Sequence, residues 1–174
     1  MWFESPRRLD PALDLTSAFD CGSVAQSRWL RTVAATAQAA RTAVVYVVTQ
    51  RGSRGVIGYY ALAAASLAQS DAPAGLRRSA GQSPIPVILL ARLGVDASAQ
   101  STGLGAALVK DAMLRACQAS ATIGARALLI HAESAAARAF YLHLAEFEAS
   151  PTDPLHLILS MREIEAVLQP PAGK

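Results

Sequence analysis

The sequence predicts a mixed α/β domain built around one sheet, and three observations lead there. Two β-branched and aromatic runs, Val44-Val-Tyr-Val-Val48 and Val56-Ile-Gly-Tyr-Tyr-Ala-Leu62, flank the short loop Gln50 to Gly55, as the arms of an antiparallel hairpin do. The run Val87 to Val95 is nearly all apolar, the pattern of a central strand covered on both faces. A helical stretch from Gly103 and a second apolar run, Leu128-Leu-Ile-His131, come after it. Strand, helix and strand in that order imply a parallel β–α–β crossover.

Each element can be placed in turn. Glu4 to Leu9 is expected as a short strand. Phe19-Asp-Cys-Gly22 reads as a turn or cap before a helix from about Ser23 to Ala40, with Val24, Trp29, Leu30 and Val33 along its inner face. Gly58, inside the returning hairpin strand, signals a bulge or a close backbone approach. Ser70 to Pro86 is broken by Pro73 and Pro84, with Pro86 at the next strand's edge and Gly75 and Gly81 between, so it is a loop or short helix. It carries the basic doublet Arg77-Arg78, either a solvated pair or a phosphate contact.

Arg92 sits within the apolar strand and has to emerge at a cleft or find a local partner. The helix from Gly103 to about Ser120 turns Leu104, Leu108, Met113 and Leu114 inward and Lys110, Asp111 and Arg115 outward. Ser134 is placed to cap a helix from Ala135 to about Ala145. Ser150-Pro-Thr-Asp-Pro154 is a turn, Leu155 to Leu159 a last strand, and Gln169 to Lys174 a frayed tail. No repeat or composition break divides the chain, so one domain over 1–174 is expected.

Composition narrows the class. The chain has 174 residues, of which 52% are hydrophobic and 17% charged, which excludes a disordered protein. Net charge is +3, and of sixteen basic residues only Lys110 and Lys174 are lysine. Arginine suits bidentate phosphate contacts, so a nucleic-acid partner is permitted. Cys21 and Cys117 stand far apart, which rules out a disulfide framework and a thiolate zinc site. The opening residues have no signal-peptide core, and no apolar run reaches the ~18–20 residues of a membrane span. A cytoplasmic protein without a membrane role is expected.

The most informative stretch follows the central strand. Gln100-Ser-Thr-Gly-Leu-Gly105 joins it to the next helix, and such a turn offers backbone N–H groups at the positive end of a helix dipole. That is an anion site, most naturally for phosphate. A Rossmann site would need three glycines and an acidic ribose partner, and a P-loop would need Gly-Lys-Ser/Thr; both are missing. His131-x-Glu133 lacks the Pro-Cys-x-x-Cys partner of the zinc deaminases, and no Gly-x-Ser-x-Gly elbow is present. No metal is expected.

Gln100-x-x-Gly-x-Gly105 after a strand resembles the Gln/Arg-x-x-Gly-x-Gly/Ala signature of the GNAT acetyltransferases, and Ala139-Phe-Tyr141 resembles that family's late helix. Further landmarks resemble the GNAT toxins of bacterial toxin–antitoxin pairs: Ser17-Ala-Phe-Asp-Cys-Gly22, Gly58-Tyr-Tyr-Ala-Leu62, Leu76-Arg-Arg78, Pro84-Ile-Pro-Val87 and Ser150-Pro-Thr-Asp-Pro154. They span about residues 10 to 162. The resemblance implies the GNAT acyl-CoA N-acyltransferase fold with splayed central strands and acetyl-coenzyme A as cosubstrate. It further implies acetylation of the α-amino group of aminoacyl-tRNA, a ribbon-helix-helix antitoxin, operator DNA bound only through the antitoxin complex, and a homodimer. Two other readings stay open: acetylation of a small amine or protein N-terminus, and a weakly active member working mainly through its antitoxin.

The same resemblance assigns roles. Gln100, Ser101, Thr102, Gly103, Leu104, Gly105 and Ala106 would wrap the pyrophosphate, and the backbone of Leu93, Gly94 and Val95 would hold the pantetheine and the thioester carbonyl. Tyr141 would protonate the departing thiolate. Members often have Gln-Gly-Arg/Lys-Gly at the turn, so Ser101 stands here for a glycine and Thr102 for a cation. Leu142-His-Leu-Ala-Glu-Phe147 replaces the commoner ending in Gly-Phe. For tRNA the candidates are Arg77, Arg78, Arg92, Lys110 and Arg115, whose phosphate contacts would add salt dependence rather than sequence choice.

Overall fold

The computed structural model describes residues 2–79, 81 and 83–169; the expected tail lies outside them from position 170 onward. Seven strands form one sheet: β1 (Arg7–Arg8), β2 (Val44–Thr49), β3 (Val56–Leu67), β4 (Ile85–Val95), β5 (Ala127–His131), β6 (Glu148–Ala149) and β7 (His156–Ser160), in the order β1-β2-β3-β4-β5-β7-β6. The helices are α1 (Val24–Thr32), α2 (Ala34–Ala39), α3 (Ala74–Arg78), α4 (Leu104–Ile123), α5 (Ala135–Leu144) and α6 (Met161–Leu168). The hairpin is antiparallel and β4 runs parallel to β5, with α4 as the crossover. The chain divides into two compact units, Met1–Ala63 with Ala91–Ala112, and Ala64–Leu90 with Met113–Lys174.

In the first unit the period-2 alternation of β2 and β3 sorts side chains onto two faces. Val45 lies opposite Ala61 and Val47 opposite Tyr59, and all four are buried with Leu30, Ala34 and Ala37 of α1 and α2. The other face carries Tyr46 stacked on Tyr60 at 5.0 Å, and the Tyr60 hydroxyl donates to the Asp111 carboxylate of α4. Gly58 shares that face. A Cβ added there would meet Leu104 Cδ2 at 3.0 Å and Leu108 Cδ1 at 3.1 Å, so the glycine lets α4 sit tight on the strand. The expected bulge is also present, as a register shift between Val48 and Thr49, where Gly58 pairs with Val48.

The helix expected over 23–40 is two helices with a break at Val33, whose N–H still bonds Trp29 O. Its inner face differs from expectation. Val24 and Val33 are 81% and 41% exposed, while Ser27, Leu30, Ala34 and Ala37 are buried at i, i+3, i+7 and i+10. Small residues let the helices lie close to the sheet, and alanine and serine carry almost no signal in a hydrophobic count. Ser23, expected as the first residue of the helix, stands one position before it and caps α1, accepting from Gln26 N–H.

In the second unit, Leu67, Ala72, Leu76, Ile85, Val87, Ala127, Leu129 and Ile158 form the core. Full burial of such aliphatic side chains contributes roughly 1.5–3 kcal/mol each. The broken segment after β3 resolves into a single turn at Gln69–Asp71 and the short helix α3, whose Leu76 enters this core. Helix α4 runs three residues past its expected end and stops at Gly124, φ +78°, a left-handed C-cap. Leu114, expected inward, is 44% exposed, because Ala112, Met113 and Ala116 take the buried stripe. Ser134 caps α5 by accepting from Ala137 N–H. Two elements were not expected: β6, and α6 with its Ser160–Glu163 capping box.

Candidate active site

The first unit carries the loop. Strand β4 leaves through Leu93, Gly94 and Val95, and Gly94 is buried because a Cβ there would meet Tyr59 Cε1 at 3.0 Å and Cys21 Sγ at 3.2 Å. Asp96 then clasps the turn. Its carboxylate accepts from Asp20 N–H at 2.9 Å, Ser98 N–H at 3.0 Å and Ser98 Oγ at 2.6 Å. Burial works to raise this carboxyl, but the hydrogen bonds from Asp20 and Ser98 outweigh it and hold it below the usual carboxylate range. Gln100 adds a brace, donating from Nε2 to Cys21 O and Val95 O at 3.0 Å each.

Past the brace the backbone turns left-handed twice, at Ser101 with φ +61° and Gly103 with φ +86°. Ser101 therefore holds the conformation that the family's glycine adopts freely, at a cost of about 1–2 kcal/mol for a residue with a Cβ. Thr102 Oγ1 donates to Ala99 O at 2.6 Å, so its side chain is spent on the loop rather than on a ligand. Helix α4 begins with Leu104 anchored in the core, 1% exposed, and with Gly105 and Ala106 half-buried. The first bond back to the loop runs from Ala107 N–H to Gly103 O, leaving the N–H groups of residues 104–106 at the helix's open end. No acidic residue lies in that turn. Exposed left-handed backbone, three open N–H groups and an uncompensated dipole suit an anion.

The second unit carries Tyr141, in α5 and 7% exposed. Its ring meets Phe140 and Phe147 edge-on at 5.2 and 6.4 Å. Burial, and to a smaller extent the Glu133 carboxylate, push the phenol up to about 12, so it stays protonated at neutral pH. On the same unit His131 and His156 stack at 3.9 Å as cross-strand neighbours of β5 and β7, and Asp153 lies 3.4 Å from His156. Burial, then His156, push His131 down. His143 is exposed. Cys117 is half-buried and its thiol is pushed up by burial and Glu165, which leaves it a poor nucleophile.

The nominated cations fall in two groups. Arg77 and Arg78 are exposed on α3, and Arg115 is half-buried on the later part of α4. In the first unit Lys110 is exposed, and Arg92 is half-buried with its Cζ 5.6 Å from the centroid of the Trp29 ring. Sequence reasoning passed over Arg28 and Arg31 of α1. The signal was available: residues 23–41 hold three arginines and no acid. The second unit also has a cavity of about 370 Å³, lined by Leu76, Ser79, Arg126, Ser160 and Arg162 among others, and none of the nominated residues lines it. Among the described residues no His, Cys, Asp or Glu group could hold a metal, and no helix is long and apolar enough to cross a membrane.

A strand, a left-handed loop, a helix N-terminus bare of acids and a late buried tyrosine are the features in which the chain resembles the acyl-coenzyme A N-acyltransferases of the GNAT fold. Comparison with known proteins narrows this. The chain is 44% identical over 166 residues, 95% of its length and 97% of the relative's, to the tRNA-acetylating toxin of Mycobacterium tuberculosis (strain ATCC 25618 / H37Rv). It superposes on AtaT complexed with acetyl-methionyl-tRNAfMet with a TM-score of 0.86 and 26% identity, covering 95% of this chain and 99% of that one. A variant of the AtaT toxin bound to the C-terminus of the antitoxin AtaR and acetyl-CoA matches with a TM-score of 0.78 and 26% identity, over 94% and 97% of the two chains. No family model matches the chain. On the 44% relationship the chain belongs to the GNAT-type tRNA-acetylating toxins.

Proposed function

We propose that this protein transfers the acetyl group of acetyl-coenzyme A to the α-amino group of an aminoacyl-tRNA, blocks translation by doing so, and is neutralised by a cognate antitoxin. The observation that carries the reading is the 44% identity to a tRNA-acetylating toxin, sustained over 95% of the chain. AtaT, bound in one structure to acetylated charged tRNA and in another to antitoxin and acetyl-CoA, supports it. The same reading makes the antitoxin a ribbon-helix-helix protein, the toxin a cytoplasmic homodimer with one catalytic domain, and operator DNA a partner only through the antitoxin complex.

Acetyl-coenzyme A supplies a thioester whose carbonyl an amine can attack. Gln100 to Ala106 fit its pyrophosphate: residues 100–103 are exposed, and even a Cβ built on Gly103 meets nothing within 4 Å. Backbone N–H groups at Leu93 to Val95 hold the pantetheine and the carbonyl oxygen; donors of this kind are typically worth about 3–4 kcal/mol. Tyr141 Oη gives its proton to the sulfur as the C–S bond breaks, and regains one from solvent. The incoming amine loses its proton to solvent, helped by the inductive pull of the aminoacyl ester.

The test is incubation of purified protein with labelled acetyl-coenzyme A and a panel of charged tRNAs, beside Tyr141→Phe. Label is expected on the amino nitrogen of at least one charged tRNA with the wild type and not with the variant. Transfer to free amines or protein N-termini but to no charged tRNA would overturn the reading.

A further inference from the structure

Within the first unit, aromatic rings line up from the core toward the surface. Phe19 meets Tyr59 edge-on at 5.4 Å, Tyr59 stacks on Trp29 at 6.0 Å with planes 9° apart, and the Arg92 guanidinium lies over the Trp29 ring. Tyr59 is fully buried and its hydroxyl donates to Gln26 O at 2.8 Å, so the base of the ladder is fixed. Trp29 and Arg92 are half-buried at its outer end. Among the described residues Arg92 has no acidic partner, and Trp29 is the group it rests on. A half-buried guanidinium with five N–H donors and no carboxylate is expensive unless something else takes them.

Its surroundings favour an anionic, planar guest. Arg28 and Arg31 flank Trp29 on α1, and no acid lies between residues 23 and 41. Arg31 Nη1 spends a donor on Phe19 O at 3.2 Å, which leaves most of its guanidinium for a further partner. Along β4, Arg92 stands two residues before Gly94, roughly 7 Å at strand rise, so it adjoins the segment assigned to the thioester. A guanidinium held over an aromatic ring is restrained before binding and offers both a plane for stacking and edge donors for a phosphate.

We propose that Trp29 and Arg92 form a subsite for the unpaired, aminoacylated end of the RNA acceptor. A nucleobase stacks on the outer face of the guanidinium while an adjoining phosphate takes its free N–H donors. This rests on the charged-tRNA reading above and adds to it which residues grip the acceptor's end. Arg92 is here a specificity residue, and Trp29 positions it.

Steady-state kinetics at saturating acetyl-coenzyme A, with Arg92→Lys, Arg92→Gln and Trp29→Leu, test this on two acceptors: a charged tRNA and the methyl ester of the same amino acid, which has no nucleotide. Arg92→Gln is expected to raise KM for charged tRNA about tenfold, the scale of one stacked base, and to leave the ester rate unchanged. Arg92→Lys keeps the charge without the plane and should fall between. Trp29→Leu should follow Arg92→Lys, and if it does not fold the two arginine variants decide. An unchanged KM for tRNA, or an equal loss on both acceptors, overturns the subsite while leaving the enzyme reading intact. A wild type inert toward every charged tRNA overturns the underlying reading instead.

Discussion

In the first unit the candidate anion site is exposed backbone: Ser101 and Gly103 in left-handed turns, then three open N–H groups of α4. In the second unit the candidate proton donor is a side chain 7% exposed, with its phenol pushed up to about 12. One binds through conformation, where a side chain matters mainly by its permitted φ. The other acts through burial, where the environment sets the chemistry of a single oxygen. Substitutions should therefore fail differently: at the loop through affinity, at the tyrosine through turnover.

The sharpest division is expected from Tyr141→Phe, which should lower kcat by about 100-fold or more, the lower bound for a general acid. Its affinity for acetyl-coenzyme A, measured by calorimetry, should stay within about twofold. A matching loss of affinity would break the comparison.

Burial at Tyr141 also predicts a pH effect. Its folded pKa lies above the unfolded value of about 10, so its contribution to stability is complete below pH 10 and is lost as pH rises toward 12. The unfolding free energy of the wild type should fall relative to Tyr141→Phe by about 1.4 kcal/mol per pH unit above 10. Urea titrations of the two proteins between pH 9 and 11 measure it, and parallel curves would show that the phenol is solvated.

At the loop, Gly103→Ala has room for its methyl but must adopt φ +86°, at about 1–2 kcal/mol. Affinity for acetyl-coenzyme A should drop about 5- to 30-fold with kcat at saturation little changed. Ser101→Gly should act in the opposite direction and least. Removing the Cβ at φ +61° relieves strain, while glycine's extra freedom when unfolded takes back part of it, leaving a gain of about 0.5–1 kcal/mol. A Tm that rises slightly in the absence of ligand is the expected result, and a fall would mean that the serine side chain supports the loop.

The strand–turn–helix at the centre was legible because its signals are local: an apolar run, spaced glycines and a helix start. Ser134 was legible as a cap for the same reason. The inner face of α1 and α2 was legible at Leu30 but not beyond it, since its other buried residues are serine and alanine, while Val24 and Val33 stand in solvent. Bulk alone misleads where helices sit close to a sheet. Leu114 fails similarly, one position off an alanine-rich stripe. Helix α6 was overlooked although Ser160-x-x-Glu163 is a start signal that needs no tertiary knowledge. The contact of Arg92 with the Trp29 ring joins residues far apart in sequence, and no short window along the chain contains both.

Gly58 ties the loop to the hairpin. Because Leu104 and Leu108 rest directly on β3, ordering the first turn of α4 and ordering the hairpin beneath it are one equilibrium. A ligand that grips the open end of α4 stabilises everything that end stands on. Amide hydrogens of β2 and β3 should exchange more slowly when acetyl-coenzyme A is present, although none of them touches it. On the proposed function, acetyl-coenzyme A then acts a second time, as a brace for the hairpin strands beneath α4.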